Sequence, residues 1–360
     1  MPTVASPPDL LALNEAEMTA LMREIGEPAY RGRQLFEWVH EKGARSFDAM
    51  TNLPKPLRAR LAAEAQIGTL EETRRQRATD GTIKTLLQLP SGRAVEAVLI
   101  PDFHEDGRPR RMTACVSSQV GCAMGCTFCA TGLLGFQENL SAGQIAAQAH
   151  HLDAIAHTEY GRGLSNVVYM GMGEPLQNYP AVAKSVGLIS EGLGLSPKRV
   201  TVSTVGLARR IRQLADDQAA GRALPFRLAI SLHAPTDAQR SAIMPVNRSE
   251  KTDLSALRDA VQHYVAITGQ PVTYEYCVFA GVNDSNADAA HLASVTRWAP
   301  SKVNLIVYNP VEGTGFTSPP EAELERFIRA LVREDVRVTV RRSRGQDIDA
   351  ACGQLAGAEV

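Results

Sequence analysis

From about residue 110 onward, short β-branched runs alternate with amphipathic helical stretches, and this repeat limits the choice of fold. Such alternation predicts a parallel sheet covered by helices, an α/β architecture that we expect to curve into a partial (β/α) barrel. Ser141 is a predicted N-cap for a helix through residue 156, and Ser318-Pro319-Pro320-Glu321 begins one through residue 332. The predicted strands span residues 112–117, 166–170, 199–204, 226–232, 271–279, 302–308 and 336–341.

The first third of the chain has a different pattern. Residues 10–65 are predicted to be helical, with breaks near Gly26-Glu27-Pro28 and at Pro54 and Pro56. Three short strands follow, separated by Asp80-Gly81 and Ser91-Gly92, which are typical hairpin turns. We therefore predict a helical N-terminal module over 1–68, a small β-meander over 69–107, the barrel over 108–345 and a C-terminal segment over 346–360.

Charge and hydropathy restrict where the protein acts and what it binds. Lys plus Arg is 38 and Asp plus Glu is 39 in 360 residues, so the net charge is −1 and any nucleic-acid contact requires a local basic patch. No apolar run approaches the roughly 20 residues of a membrane helix. The first basic residue is Arg23, so no cationic secretory signal is expected. We expect a cytoplasmic protein with no membrane association, whose six cysteines are thiols, ligands or catalysts.

Two arginine clusters are candidates for RNA phosphate contacts, although charge runs are usually solvated faces. The clusters are Arg58, Arg60, Arg74, Arg75 and Arg77, and Arg337, Arg341, Arg342 and Arg344.

Three cysteines, Cys122, Cys126 and Cys129, are separated by three and two residues. A structural zinc site needs four ligands, and a ferredoxin cluster also needs four cysteines. Three thiolates on a four-iron cluster leave one iron open to a substrate, which favours chemistry over electron transfer. Gly121 and Gly125 allow the backbone to wrap closely around a ligand, whereas the alternative is a chance group of buried cysteines.

Several motifs together resemble the RlmN/Cfr family of radical S-adenosylmethionine (SAM) RNA methyltransferases. They are Cys115-Val-Ser-Ser-Gln-Val-Gly-Cys122, Cys122-x3-Cys126-x2-Cys129, Gly171-Met-Gly-Glu-Pro175, Met50-Thr-Asn-Leu-Pro54 and Cys352, and they extend over nearly the whole chain. The resemblance implies a partial barrel of radical-SAM type. It also implies one 4Fe-4S cluster on Cys122, Cys126 and Cys129, and two SAM molecules per turnover.

Small or polar residues follow several predicted strands, where parallel strands present a binding site at their carboxyl ends. Each alone is more often a turn former, but their recurrence at one rim favours a small-molecule site. By resemblance these residues bind SAM, with Glu174 facing the SAM ammonium. The residues predicted to bind SAM are Gly173, Glu174, Ser203, Ser231, Leu232, His233 and Asn309.

Three further residues have candidate catalytic roles. Cys352 lies among small residues near the C-terminus, and Cys115 lies on a predicted strand; an ordinary tail cysteine and a core cysteine are the alternatives. Glu96 lies in a strand that is apolar on both faces, which predicts either an arginine partner or a raised pKa. The resemblance makes Cys352 the methyl carrier, Cys115 the resolving thiol that forms a transient disulfide with it, and Glu96 the proton acceptor. We expect Cys277 to be a core residue.

The function that the resemblance implies is methylation of adenosine carbon 2 in 23S rRNA and of adenosine 37 in tRNA, through a covalent protein–RNA adduct. The implied partners are these RNAs, an external electron donor and a disulfide reductant, and we expect a monomer. Methylation of carbon 8 of the same rRNA adenosine remains an alternative. Two others come from different classes: an iron–sulfur electron carrier or redox switch, and a zinc-binding RNA module.

Overall fold

The computed structural model describes residues 7–250 and 252–356. Within this part of the chain, ten strands form one sheet in the order β1-β2-β3-β4-β7-β8-β9-β10-β11-β12, and β5 and β6 form a second, two-stranded sheet. The strands are β1 (Glu71–Arg77), β2 (Ile83–Gln88), β3 (Ala94–Phe103), β4 (Pro109–Cys115), β5 (Gln119–Gly121), β6 (Phe136–Asn139), β7 (Asn166–Tyr169), β8 (Val200–Thr204), β9 (Arg227–Ser231), β10 (Val272–Val278), β11 (Ser301–Val307) and β12 (Val338–Arg341). The helices are α1 (Glu15–Glu24), α2 (Tyr30–Phe36), α3 (Lys55–Glu64), α4 (Ala130–Leu133), α5 (Ala142–Tyr160), α6 (Tyr179–Gly192), α7 (Ala208–Ala219), α8 (Asp237–Ile243), α9 (Val246–Ser249), α10 (Leu254–Thr268), α11 (Asn286–Thr296) and α12 (Glu321–Arg333).

The large sheet combines two kinds of pairing. Strands β1 to β4 are antiparallel neighbours, and from β4 to β12 every pair is parallel. Side chains alternate, so Tyr274 and Tyr276 are fully buried on the helix-covered face of β10, while Glu275 lies on the inner face. Thr113 of β4 and Thr339 of β12 line the same cavity. The sheet therefore curls into an open barrel.

The predicted α/β order, helical N-terminal region and β-meander are confirmed, with strand ends shifted by at most three residues. The side chain of Ser141 caps α5 as predicted, accepting a hydrogen bond from the Gln144 backbone N–H. The β5–β6 pair was not predicted, because strands of three and four residues are too short to show alternation. The division at residues 68, 107 and 345 stays a prediction.

The N-terminal helices α1 to α3 pack around their own apolar core, which includes Met18, Leu35 and Leu57. This core meets the barrel at α5, where His40 Nδ1 lies 3.3 Å from His150 Nε2. Burial lowers the pKa of His40 to about 4 and that of His150 to about 3, so both rings are neutral at pH 7. The joint is therefore a buried, uncharged contact.

The segment after β12 crosses from the barrel to the β-meander. The Gly345 N–H donates to Asp80 at 3.0 Å, and Lys84 donates to the Asp349 carbonyl at 3.2 Å. Farther along, the Ala356 N–H donates to Glu96 at 2.8 Å. This segment covers the open side of the barrel and carries Cys352 inward. Among the described residues, no helix has the length and apolarity needed to span a bilayer.

Candidate active site

The loop that carries the three clustered cysteines begins directly after β5. At Gly121, φ is +68°, and a Cβ there would lie 1.8 Å from the Gly135 carbonyl oxygen, so only glycine fits this turn. The Thr127 N–H donates to the Ile243 carbonyl at 3.0 Å and ties the loop to the end of α8. The loop is thus held before its first cysteine, at Gly121, and between its second and third, at Thr127.

Cys122, Cys126 and Cys129 line one cavity at the carboxyl ends of the parallel strands. Burial raises the pKa of Cys122 to about 12, and it also raises the pKa of Cys126 and of Cys129. In the described part of the chain, no three His, Cys, Asp or Glu side chains are grouped to hold a single metal ion. What the structure shows of the three thiols is that they line one shared cavity.

Glu174 enters the same cavity from the loop after β7. Its neighbour Gly173 has φ +94°, and a Cβ there would lie 2.5 Å from Gln119, so glycine lets the loop pack closely on β5. Each Glu174 carboxylate oxygen accepts one backbone hydrogen bond, from Leu176 at 2.9 Å and from Val205 at 2.8 Å. Burial raises the pKa of Glu174 to about 7 despite these donors. A cationic group in the cavity would stabilise its charged form.

The ends of β8 and β9 supply further polar groups. Ser203 and Ser231 both line the cavity, and their hydroxyl oxygens are 3.2 Å apart. His233 also lines it, and its Nδ1 accepts a hydrogen bond from the Cys277 N–H at 3.0 Å, which leaves the proton on Nε2. Burial lowers the pKa of His233 to about 3, so the ring is a neutral donor at pH 7.

The other two predicted SAM ligands lie outside this cavity lining. Leu232 is fully buried, and its carbonyl accepts from Arg240 at 2.8 Å. Asn309 donates to the Cys352 carbonyl at 3.2 Å and accepts from Gln346 at 2.8 Å. Leu232 therefore has only backbone groups to offer, and Asn309 holds the Cys352 loop in this structure.

Cys352 connects the main cavity with a second, smaller one. It lines both, whereas Cys115 lines only the smaller one together with Arg341. Burial and the neighbouring Cys352 raise the pKa of Cys115 to about 12. The structure thus brings the two cysteines predicted to react together, although 237 positions separate them in the chain.

Glu96 is almost buried on β3, on the same sheet face as Cys115. Its carboxylate pairs with Lys84 at 2.9 Å and accepts the Ala356 N–H at 2.8 Å. The expectation of an arginine partner is therefore wrong, because β2 presents a lysine on the same sheet face, in register with Val98 and diagonal to Glu96. Both side chains are nearly buried, Lys84 at 10% and Glu96 at 9% exposure, so each charge has the other as a close partner.

Sequence reasoning missed four residues around the cavities. Arg240 is fully buried under the ends of β8 and β9, and nothing in its sequence context indicates this. Glu275 lines the main cavity, and a charged residue within an apolar strand was an available signal. Cys277 also lines the cavity, so the interpretation as a core cysteine was incomplete. Arg341, grouped by sequence with surface arginines, points inward to Cys115 and Cys352.

Comparisons with known proteins show which family the chain belongs to. Two family models match: the ribosomal RNA large subunit methyltransferase N-terminal domain over residues 8–67, and the radical SAM superfamily over residues 116–293. A probable dual-specificity RNA methyltransferase RlmN from Salinibacter ruber is 56% identical, covering 97% of this chain and 94% of that protein. The chain belongs to the RlmN family of radical SAM methyltransferases. The resemblance noted from the motifs is confirmed.

Other members of the RlmN family show the same extent of similarity. The dual-specificity RNA methyltransferase RlmN of Anaeromyxobacter dehalogenans is 43% identical, covering 97% of this chain and 92% of that protein. The crystal structure of a radical SAM methyltransferase from Sphaerobacter thermophilus superposes with a TM-score of 0.91 at 43% identity, covering 98% of this chain and all of that one. The predicted radical-SAM type of partial barrel is therefore confirmed, and the chain is a methyltransferase.

Proposed function

We propose that this enzyme methylates carbon 2 of an adenosine in 23S rRNA and of adenosine 37 in tRNA. The observation that carries the proposal is that Cys352 lies between two cavities, one lined by the three clustered cysteines and the other by Cys115. A methyl carrier must reach both the place where its methyl is activated and the thiol that releases the product. The names of the relatives, dual-specificity RNA methyltransferases, supply the substrate class.

The donor set fits the two cofactors of radical SAM enzymes. Three buried thiols around a cavity suit an iron–sulfur cluster that keeps one iron open, and binding would release their protons. Glu174 is placed to accept the SAM ammonium, Ser203 and Ser231 to bind hydroxyls, and His233 to donate from Nε2. Bound together, cluster and SAM supply one-electron cleavage of a carbon–sulfur bond, which makes an inert methyl group reactive. Two SAM molecules per turnover are proposed, one of which methylates Cys352.

The need for such chemistry follows from the substrate carbon. Carbon 2 of adenine is electron-poor and has no nucleophilic lone pair, so an ordinary polar transfer of methyl cannot reach it. The methyl group on Cys352 would first lose one hydrogen atom to the chemistry that the bound cofactors supply, and its carbon would then join the ring. Glu96, held by Lys84 at 2.9 Å, would accept the ring proton at its carboxylate, and the unpaired electron would return to the cofactors.

Cys115 completes the reaction. Its thiolate attacks the sulfur of Cys352, the sulfur–sulfur bond forms and the carbon–sulfur bond breaks. The electron pair goes to the methylene carbon, which takes a proton and becomes the methyl group of the RNA. The two cysteines are oxidised to a disulfide, which an external dithiol reductant returns to thiols. An external electron donor, a cytoplasmic location and a monomeric state complete the proposal.

Of the two arginine clusters, the second is the better candidate for RNA contact. In the first, Arg75 pairs with Glu72 and Arg77 with Glu159, each at 2.8 Å, so acidic neighbours already offset these charges. In the second, Arg342 and Arg344 are exposed beside the smaller cavity. They lie where the RNA backbone would pass if its adenosine enters towards Cys352.

The decisive experiment compares Cys115→Ala and Cys352→Ala proteins incubated with RNA, SAM and reductant. On a denaturing gel, we expect a protein–RNA band for Cys115→Ala alone, because only that variant forms the bond and cannot release it. An electron carrier, a redox switch or a zinc module gives no band with either variant. Bands from both variants, or from neither, would refute the division of roles between the cysteines.

A second measurement fixes the carbon that is methylated. Mass spectrometry of the RNA product separates 2-methyladenosine from 8-methyladenosine, and the latter would show the alternative activity. The proposal of carbon 2 is supported by the N-terminal domain match over residues 8–67 and by the names of the relatives.

A further inference from the structure

Arg341 differs from the arginines around it because the last strand turns its side chain into the barrel. It pairs in register with Ile306 at the end of β12 and lies on the inner face, whereas Arg342 points outward with a side chain that is 88% exposed. The Nη1 atom of Arg341 lies 3.4 Å from the Met170 sulfur. Its guanidinium lines the small cavity that also contains Cys115 and Cys352.

Few charged groups face this cavity. Glu275 reaches towards Arg341 from β10, Cys352 comes from the C-terminal segment, and the exposed Arg342 and Arg344 lie at its outer wall. The nearby Cys352 raises the pKa of Arg341 most. Burial lowers this pKa, and Glu275 and Cys115 raise it by smaller amounts. Lys84 and Glu96 also lie on the sheet face of Cys115, but they pair with each other at 2.9 Å. Arg341 is the cation whose charge acts on both thiols.

A cation is needed there because the attacking cysteine is buried. Burial raises the pKa of Cys115 to about 12, while Arg341 and a hydrogen bond from the Met170 backbone act in the opposite direction. The thiolate, not the thiol, is the nucleophile in exchange at sulfur. Cys115 therefore carries its proton most of the time at pH 7, and the positive charge of Arg341 increases the small fraction that is thiolate.

We propose that Arg341 is a positioning residue for product release: its guanidinium stabilises the Cys115 thiolate that attacks the sulfur of Cys352. The proposal rests on the proposed function for its place in the reaction. The step is the one given above, in which the sulfur–sulfur bond forms, the carbon–sulfur bond breaks, and the electron pair with a proton goes to the RNA methyl carbon. Arg341 exchanges no atoms or electrons.

The first test uses the reaction itself, with Arg341→Met, Arg341→Lys and the control Arg329→Met, an arginine of α12 whose side chain is 71% exposed. Arg341→Met is expected to accumulate the protein–RNA adduct, as Cys115→Ala does. The adduct of Arg341→Met should release RNA about tenfold faster for each unit of rising pH, because the thiolate fraction grows by that factor below the pKa of Cys115. The Cys115→Ala adduct should persist at every pH. Release from Arg341→Met that does not respond to pH would overturn the proposal.

The second test needs no RNA or SAM. Cluster-loaded enzyme with unmethylated Cys352 is treated with diamide, which takes two electrons and two protons from a thiol pair, and the Cys115–Cys352 disulfide is quantified by peptide mass spectrometry. At pH 7.5, we expect Arg341→Met to form it about tenfold more slowly than wild type, as for loss of a close opposite charge. Arg329→Met should match wild type, and Arg341→Lys should stay within about threefold.

The two tests separate failure of this inference from failure of the proposed function. Slow disulfide formation in Arg341→Met, with no adduct from any variant, would retain the thiolate role and refute the methylation chemistry. Equal disulfide rates in wild type and Arg341→Met would refute the role of Arg341. Arg341→Lys that is as slow as Arg341→Met would show that geometry, not charge, matters and would also refute it.

Discussion

Arg240 offers a direct test of how the active-site rim is held together. Its side chain is fully buried, and its donors serve four oxygen acceptors: Asn247 Oδ1 at 3.0 Å and the carbonyls of Ser231 at 3.2 Å, Leu232 at 2.8 Å and Val205. Burial lowers the pKa of Arg240 to about 10, so it remains a cation at pH 7. One guanidinium thus links the ends of β8 and β9 to α8 and α9.

Replacing Arg240 with Met keeps a side chain of similar length and removes all of these hydrogen bonds. Hydrogen bonds to a charged group contribute about 1.5–3 kcal/mol each, but relief of guanidinium desolvation offsets part of the loss. We expect the free energy of unfolding to fall by about 3–5 kcal/mol, the range for breaking a buried charged network. For 360 residues this corresponds to a drop in Tm of roughly 4–7 °C.

The assay is thermal and urea unfolding of wild type, Arg240→Met and the control Arg248→Met. Arg248 lies on the neighbouring helix, is exposed, and makes one hydrogen bond to the Ser241 carbonyl at 3.1 Å. The control should stay within about 0.5 kcal/mol of wild type. If Arg240→Met also lies within about 1 kcal/mol of wild type, the reasoning fails, because the rim carbonyls would then be satisfied without the guanidinium.

Two further predictions concern the cluster and the joint at α5. Cys126→Ala should lose bound iron and its visible absorption while the fold persists. The control Cys277→Ala, whose thiol lines the same cavity, should keep its iron and its absorption. Full iron content in Cys126→Ala would rule out the ligand assignment. Burial lowers the pKa of His150 to about 3 from 6.5, so the stability from its neutral ring is present above pH 6.5 and is lost as the pH falls towards 3. Between pH 7 and 5, urea unfolding should therefore show wild type losing about 2 kcal/mol more than His150→Gln, and parallel losses would contradict a neutral buried ring.

Local sequence was sufficient for features that a few adjacent residues determine. The spacing of Cys122, Cys126 and Cys129 predicts a shared ligand, since a short loop with glycines at its turns keeps neighbouring thiols together. Strand–helix alternation predicts the α/β order in the same way, because the spacing of apolar residues within each segment indicates a strand or a helix. The polar rim at Ser203, Ser231 and His233 follows from strand direction, which places all carboxyl ends at one edge.

Other features depend on where distant parts of the chain return. Arg341 and Arg342 are adjacent and chemically identical in the sequence, but strand parity sends one to Cys115 and the other to solvent. The partner of Glu96 is Lys84 because β2 and β3 pair in one register, and that register is set by the whole meander. The C-terminal segment then places Cys352 between the two cavities through hydrogen bonds to residues more than 200 positions away. Sequence alone determined which chemistry the residues can perform, while tertiary packing decided which charges face the reacting sulfurs, because burial and register arise only when the sheet closes.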